Sequence, residues 1–112
     1  MLPRRIPKRR SEDQRRKRSI AHCNFVRSHA CCACGSTAAI EVAHVRTGTD
    51  GGAGTKPSDC WTISLCHECH ARQHQMGEAS FEKWAGIDMK YLARAFVKAS
   101  PRRRELEEMV HG

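Results

Sequence analysis

A small α+β domain stapled by a metal ion is the fold class this sequence predicts, on three observations. Two Cys-x-x-Cys pairs, Cys31–Cys34 and Cys66–Cys69, stand far apart in the chain. Two short β-prone runs separated by a glycine-rich stretch lie between them, and beyond the second pair the apolar residues fall at helical spacing. Finally, 112 residues of which 39% are hydrophobic bury only a modest core, and domains of this size often need a cross-link or a bound metal.

The elements follow in order. Residues 1–18 read as a basic arm. Pro3 and Pro7 stand among Arg and Lys, and a segment of that composition stays disordered until bound. Nine of its residues are basic: Arg4, Arg5, Lys8, Arg9, Arg10, Arg15, Arg16, Lys17 and Arg18, opposed only by Glu12 and Asp13. Ser11-Glu12-Asp13-Gln14 has capping-box spacing and predicts a helix running on to about Ser28, with Ile20, Cys23, Val26 and Arg27 close together on its wheel. Cys31 to Gly35 is a tight turn. Ala39 to Ala43 predicts one strand, ending at His44, and Trp61 to Leu65 a second. The intervening stretch 48–57, with Gly48, Gly51, Gly52 and Gly54, is irregular. Cys66 to Met76 predicts a helix closed by Gly77. Ser80 to Trp84 and Asp88 to Ala99 follow; in the latter Met89, Leu92, Ala93, Phe96 and Val97 form an apolar face for the core. Residues 19–100 are therefore read as the folded domain and 101–112 as a C-terminal tail, with a short helix over 105–110.

The formal net charge of +8 favours a polyanionic partner, nucleic acid before membrane. Arg9, Arg10, Arg15, Arg16, Lys17 and Arg18 of the arm, together with Arg46, are the candidate phosphate contacts, and such contacts are salt-sensitive. No apolar stretch follows Met1, so neither a secretory signal nor a membrane span is expected. That points to a reducing cytoplasm, where paired cysteines are more often metal ligands than disulfides.

Zinc takes four soft ligands in a tetrahedron, and each C-x-x-C turn presents two thiolates from one tight loop. Cys31, Cys34, Cys66 and Cys69 thus form a closed, structural Zn²⁺ site, with Cys32 the poorer alternative to Cys31 and with Cys23 and Cys60 left as small core residues. The remaining chemistry falls to histidines. His70 and His74, four apart on one helix face, can grip one divalent ion such as Mg²⁺ or Mn²⁺. The cage draws the end of the first strand toward the start of that helix. His44 is thereby brought within reach of a phosphate on that ion, and an imidazole's pKa near neutrality suits a general base. His67, inside the second pair, is expected to point to solvent or to a backbone group. His22, His29 and His111 are read as surface or core residues.

Cys31-x-x-Cys34, Glu41-Val42-Ala43-His44-Val45 and Leu65-Cys66-x-x-Cys69-His70-x-x-x-His74 together resemble the HNH endonucleases with a cysteine-bound zinc. The run through Lys56-Pro57-Ser58-Asp59 looks more narrowly like phage and prophage members, some of them linked to recombination, including the RecA-dependent nuclease type. The resemblance covers residues 29–85. It implies a ββα-metal (His-Me finger) fold with flanking helices, DNA cleavage with His44 as base and a divalent metal on His70 and His74, and a recombinase among the partners. It further implies a bacterial host cell as the setting. The sequence departs from the family pattern twice. Ala43 stands where many relatives place a metal-binding Asp or His; Asp50, Asp59 or water are the substitutes open to it. Trp61 stands where the middle Asn belongs, leaving Asp59 as the candidate to steady the base. These gaps keep a second expectation open, a non-catalytic zinc-stabilised nucleic-acid-binding module acting in phage recombination. The sequence leaves the oligomeric state undetermined.

Overall fold

A computed structural model of the chain describes residues 2–4, 18–51 and 56–111. Arg9, Arg10, Arg15, Arg16, Lys17 and the capping box at Ser11 lie outside the described residues, as do Gly52 and Gly54. The described elements run α1 (Ile20–Arg27), β1 (Ile40–His44), β2 (Thr62–Cys66), α2 (His67–Met76), α3 (Glu78–Ala85), α4 (Met89–Ala99) and α5 (Arg103–His111). None of these helices is long and apolar enough to cross a membrane.

β1 and β2 form a two-stranded antiparallel sheet in the register Ala43↔Ile63 and His44↔Thr62. Directly opposed residues share a face. Ala43 and Ile63, both fully buried, therefore point into the core, whereas Val42 and His44 face a surface cleft. β2 is buried along its whole length. The core gathers Val45, Ile63, Leu65, Phe81, Met89, Val97 and Leu106. A fully buried side chain of this kind contributes about 1.5–3 kcal/mol.

Three boundaries depart from the sequence reading, each for a local reason. α1 starts at Ile20 because Ser19 is extended and its Oγ accepts from the His22 backbone N–H; a side chain that caps this way sets the helix start. Residues 18 and 19 are non-helical, so no helix runs unbroken from Ser11. α3 begins at Glu78 rather than Ser80, as Gly77 (φ +85°) ends α2 and opens α3 without an intervening loop. The short helix expected over 105–110 runs instead from Arg103 to His111 as α5, and its Leu106 is fully buried against the core. α4 begins after its Asp88 cap, whose carboxylate accepts from the Tyr91 N–H.

A four-cysteine cluster and a histidine cleft

The sulfurs of Cys31, Cys34, Cys66 and Cys69 all lie within 4.8 Å of one another. Cys31 to Cys34 is a tight turn: Gly35, at φ +78°, donates its N–H to the Cys31 carbonyl at 2.9 Å. That left-handed conformation suits glycine because it has no Cβ. The turn is fixed to β2 on both sides. The Cys32 N–H donates to Ser64 O at 2.9 Å, and Ser64 Oγ donates to Ala30 O at 2.8 Å. Cys66 closes β2 and caps α2, so strand, cluster and helix are continuous in the chain.

The cluster could hold a metal such as zinc. Sulfurs about 2.3 Å from a tetrahedral ion sit about 3.8 Å apart, and Cys34 Sγ and Cys66 Sγ are 3.8 Å apart. Burial raises the Cys31 thiol, but the backbone N–H groups of Cys66, Cys34 and Ala33 outweigh it and bring the pKa down to about 7. Cys69 shifts strongly upward, first by burial and then by the thiols crowded around it. Thiolates packed this closely would repel one another, and a bound cation would offset that repulsion. Cys32 stays outside the cluster, its sulfur 3.4 Å from Ser64 Oγ. Cys60 is a buried core residue. Cys23 is only half-buried and lines the cleft, unlike the core position expected for it.

The cleft has a volume of about 530 Å³, and His44, His70, His74, Arg18 and Arg46 are among the residues that line it. The three imidazoles singled out in the sequence thus share one opening. His70 and His74 lie one turn apart on α2, with their Nε2 atoms 3.2 Å apart. Two imidazole nitrogens on one ion, each about 2.1 Å from it, are separated by about 3.0–3.4 Å, so this spacing, which also makes a hydrogen bond between the rings, could hold a divalent cation. His70 Nδ1 faces Glu41 Oε1 at 2.8 Å. A carboxylate only accepts, so Nδ1 carries the hydrogen and the Nε2 lone pair is turned toward His74.

Glu41 is a site residue that sequence reasoning missed. Its second oxygen bonds His67 Nδ1 at 2.8 Å; His67 is exposed, as expected, and this carboxylate contact is what the sequence did not show. The hydrogen bonds from His67 and His70 hold the Glu41 carboxyl below its ordinary range, and the bond to Glu41 raises His67 above its own. The sequence signal was present but slight, a lone carboxylate in a β-prone run three residues before His44.

His44 Nε2 lies 2.9 Å from Asp59 Oδ1. Asp59 is buried, and its other oxygen accepts from the Ser19 N–H at 2.7 Å. Burial raises this carboxyl, yet the hydrogen bonds from His44 and Ser19 and the charges of His44 and Arg18 outweigh that and hold it below its ordinary value. The side chain of Asp59 is therefore turned to His44, which is the steadying position open to it. Asp50, the other carboxylate considered as a metal ligand, instead accepts from Ser58 N at 2.9 Å and from Ser58 Oγ, closing the glycine-rich loop. Ala43 offers nothing to the cleft because it faces the core. Trp61 is buried too, and its ring lies beneath Lys90 and Arg94 of α4.

Two further contacts hold the loop that follows His44. Glu78 at the start of α3 accepts from the Arg46 N–H at 2.8 Å and the Thr47 N–H at 2.7 Å. Arg18 donates to Pro57 O at 2.6 Å and Lys56 O at 3.2 Å, and its guanidinium stands 3.9 Å from Asp59. Of the arginines and lysine assigned to the arm as phosphate contacts, Arg18 is thus docked on the domain at the cleft wall. Arg46 is exposed and also lines the cleft. His22 is fully buried, with Nδ1 2.9 Å from Ser100 Oγ, and His29 stacks edge-on against Phe96.

No curated protein and no solved structure matches the chain. A family model described as "Protein of unknown function (DUF968)" matches residues 4–101. Because that match spans most of its length, the chain belongs to the DUF968 family.

Proposed function

We propose that this chain is a metal-dependent DNA endonuclease of the HNH type, with a ββα-metal core formed by β1, β2 and α2 and a structural zinc on the four cysteines. The observation that carries the reading is the shared cleft. The His44–Asp59 pair, the His70–His74 pair and two arginines line one opening.

The chemistry follows from hydrogen-bond bookkeeping. Asp59 accepts from His44 Nε2–H, which leaves the Nδ1 lone pair to take a proton from an attacking water. The imidazolium that forms is stabilised by the Asp59 carboxylate, which is itself fixed by the Ser19 N–H. Arg18 and Arg46 on the cleft wall supply positive charge for the phosphate backbone. His70 and His74 would hold a divalent cation such as Mg²⁺ or Mn²⁺, which supplies charge to polarise the scissile phosphate and stabilise the leaving oxygen. Glu41 orients His70 for that role.

Plasmid nicking by zinc-replete protein with Mg²⁺, Mn²⁺ or Ni²⁺ tests the reading. Nicking is expected from the wild type and is expected to be lost in His70→Ala and His74→Ala. An inert wild type across all three ions, or nicking indifferent to both substitutions, would contradict it. The core-facing Ala43 and the buried Trp61 favour a second reading, a non-catalytic zinc-stabilised module that binds nucleic acid in phage recombination. On that reading the wild type binds DNA and never nicks it. A recombinase belongs to either reading as a proposed partner.

A further inference from the structure

α4 carries Lys90, Arg94 and Lys98 at i, i+4 and i+8, and no acidic residue between Met89 and Ala99. Residues at this spacing lie above one another on one helix face. Like charges four apart destabilise an isolated helix by a few tenths of a kcal/mol per pair, and surface helices ordinarily interleave acidic partners. The neighbouring α5 does so. Arg103 pairs with Glu107 at 2.7 Å, and Arg102, just before that helix, pairs with Glu105 at 3.6 Å. Among the described residues no carboxylate pairs with Lys90, Arg94 or Lys98. Two of the three head groups are nevertheless placed rather than trailing in solvent, as Lys90 Nζ and Arg94 Cζ stand 5.8 Å and 5.7 Å from the centre of the Trp61 ring. An aromatic face holds a cation without neutralising it. The row begins beside the loop that leaves the cleft. A Cβ built on Gly48 would sit 2.9 Å from Lys90 Nζ, and Gly48 is two residues beyond the cleft-lining Arg46.

We propose that this face of α4 is a second phosphate-binding ridge that engages the backbone of double-stranded DNA outside the cleft. Three cations in a row, with no carboxylate partner among the described residues and two of them pre-set on an aromatic ring, complement a regularly spaced polyanion and read no bases. The proposal rests on the nucleic-acid reading above but on none of its catalytic residues.

The test is the salt dependence of duplex binding by the full chain, with wild type compared to Lys90→Ala/Arg94→Ala/Lys98→Ala. Each lost phosphate contact lowers the slope of log K against log salt by about 0.9, so the triple variant is expected to lose about 2.7. The charge-preserving Lys90→Arg/Arg94→Lys/Lys98→Arg variant is expected to keep the wild-type slope. Should the triple variant fail to fold, Lys98→Glu, exposed and clear of the Trp61 ring, is expected to lower the slope by about 0.9 or more alone. An unchanged slope in a folded variant overturns the proposal. So does an unchanged slope accompanied by lost binding to phosphatidylserine vesicles, which would assign the ridge to an anionic membrane surface. Absence of any salt-dependent DNA binding by the wild type would overturn the nucleic-acid reading itself, a result distinguishable from failure of the ridge alone.

Discussion

Among single residues, Asp59 links the fold to the proposed chemistry. One oxygen serves His44 and the other the backbone that caps α1. Asp59→Ala leaves the buried Ser19 N–H without an acceptor, and an unpaired buried donor costs about 1–3 kcal/mol. Urea unfolding is expected to show a loss of that size, whereas Asp59→Asn, which keeps an acceptor, is expected to lose less. His22 gives a pH dependence. Burial lowers its pKa from 6.5, with the charge of Asp59 opposing more weakly. The unfolded chain therefore takes up a proton that the folded chain refuses. The stability linked to His22 is complete above 6.5 and falls as the pH drops below it, until the lowered folded value is reached. The urea midpoint, followed from pH 7.5 to 5, is expected to decline less steeply in His22→Gln than in the wild type. A matching decline would place the acid sensitivity elsewhere, with the cysteine thiolates the next candidates. The residues that sequence reading singled out, His44, His70 and His74, announce themselves by type and spacing. Glu41 and Glu78 do not, because a single carboxylate in a strand or at a helix start is ordinary, and only the packing of β1 and α3 shows what each one holds.

For the elements, the cysteine cluster joins β2 to α2 and thereby sets where His70 and His74 stand relative to His44. Metal binding by such a cluster is folding free energy. Cys66→Ser is expected to release zinc, measured with a colorimetric chelator, and to abolish the cooperative thermal transition. A stable, zinc-replete variant would remove the cluster from the account. Ala39 sits just before β1 at φ +55°, a left-handed conformation that costs a residue with a Cβ about 1–2 kcal/mol. Its carbonyl accepts from His67 N at 2.9 Å, so the strained residue ties β1 to the start of α2. Ala39→Gly relieves that strain at the price of greater unfolded-state freedom, and a net gain of a few tenths to about 1 kcal/mol is expected from the denaturation midpoint. The strands and α4 were legible in the sequence to within a residue or so, because alternation and helical spacing are clear there. The start of α1 was not. The cap that opens it, Ser19, is held where its backbone N–H reaches Asp59, forty residues away, a contact that no local pattern announces. The helix read over 105–110 starts two residues earlier as α5, because a single buried Leu106 among charged residues leaves little periodic signal.

Across the whole molecule, basic residues that bear on the nucleic-acid reading stand in the N-terminal segment, on the cleft wall at Arg18 and Arg46, and along one face of α4. The α+β class and the four-cysteine cluster could be read from the sequence, since both depend on local spacing. The cleft could be read only in part, as its walls come from the cap of α1, β1, the loop before β2, and α2. Truncation after Lys17 removes eight basic residues while leaving Arg18 on its loop carbonyls. The salt slope of DNA binding is expected to fall while the zinc content stays at one per chain. A slope that does not move would leave the arm without a role in binding. The central claim, that three imidazoles in one cleft act together on a phosphodiester, is tested most directly by single-turnover cleavage of an end-labelled duplex with Mn²⁺, comparing wild type with His44→Ala. The account expects the variant to bind DNA and metal as the wild type does and to cleave about 10²–10⁴-fold more slowly; equal cleavage rates in the two proteins would contradict it.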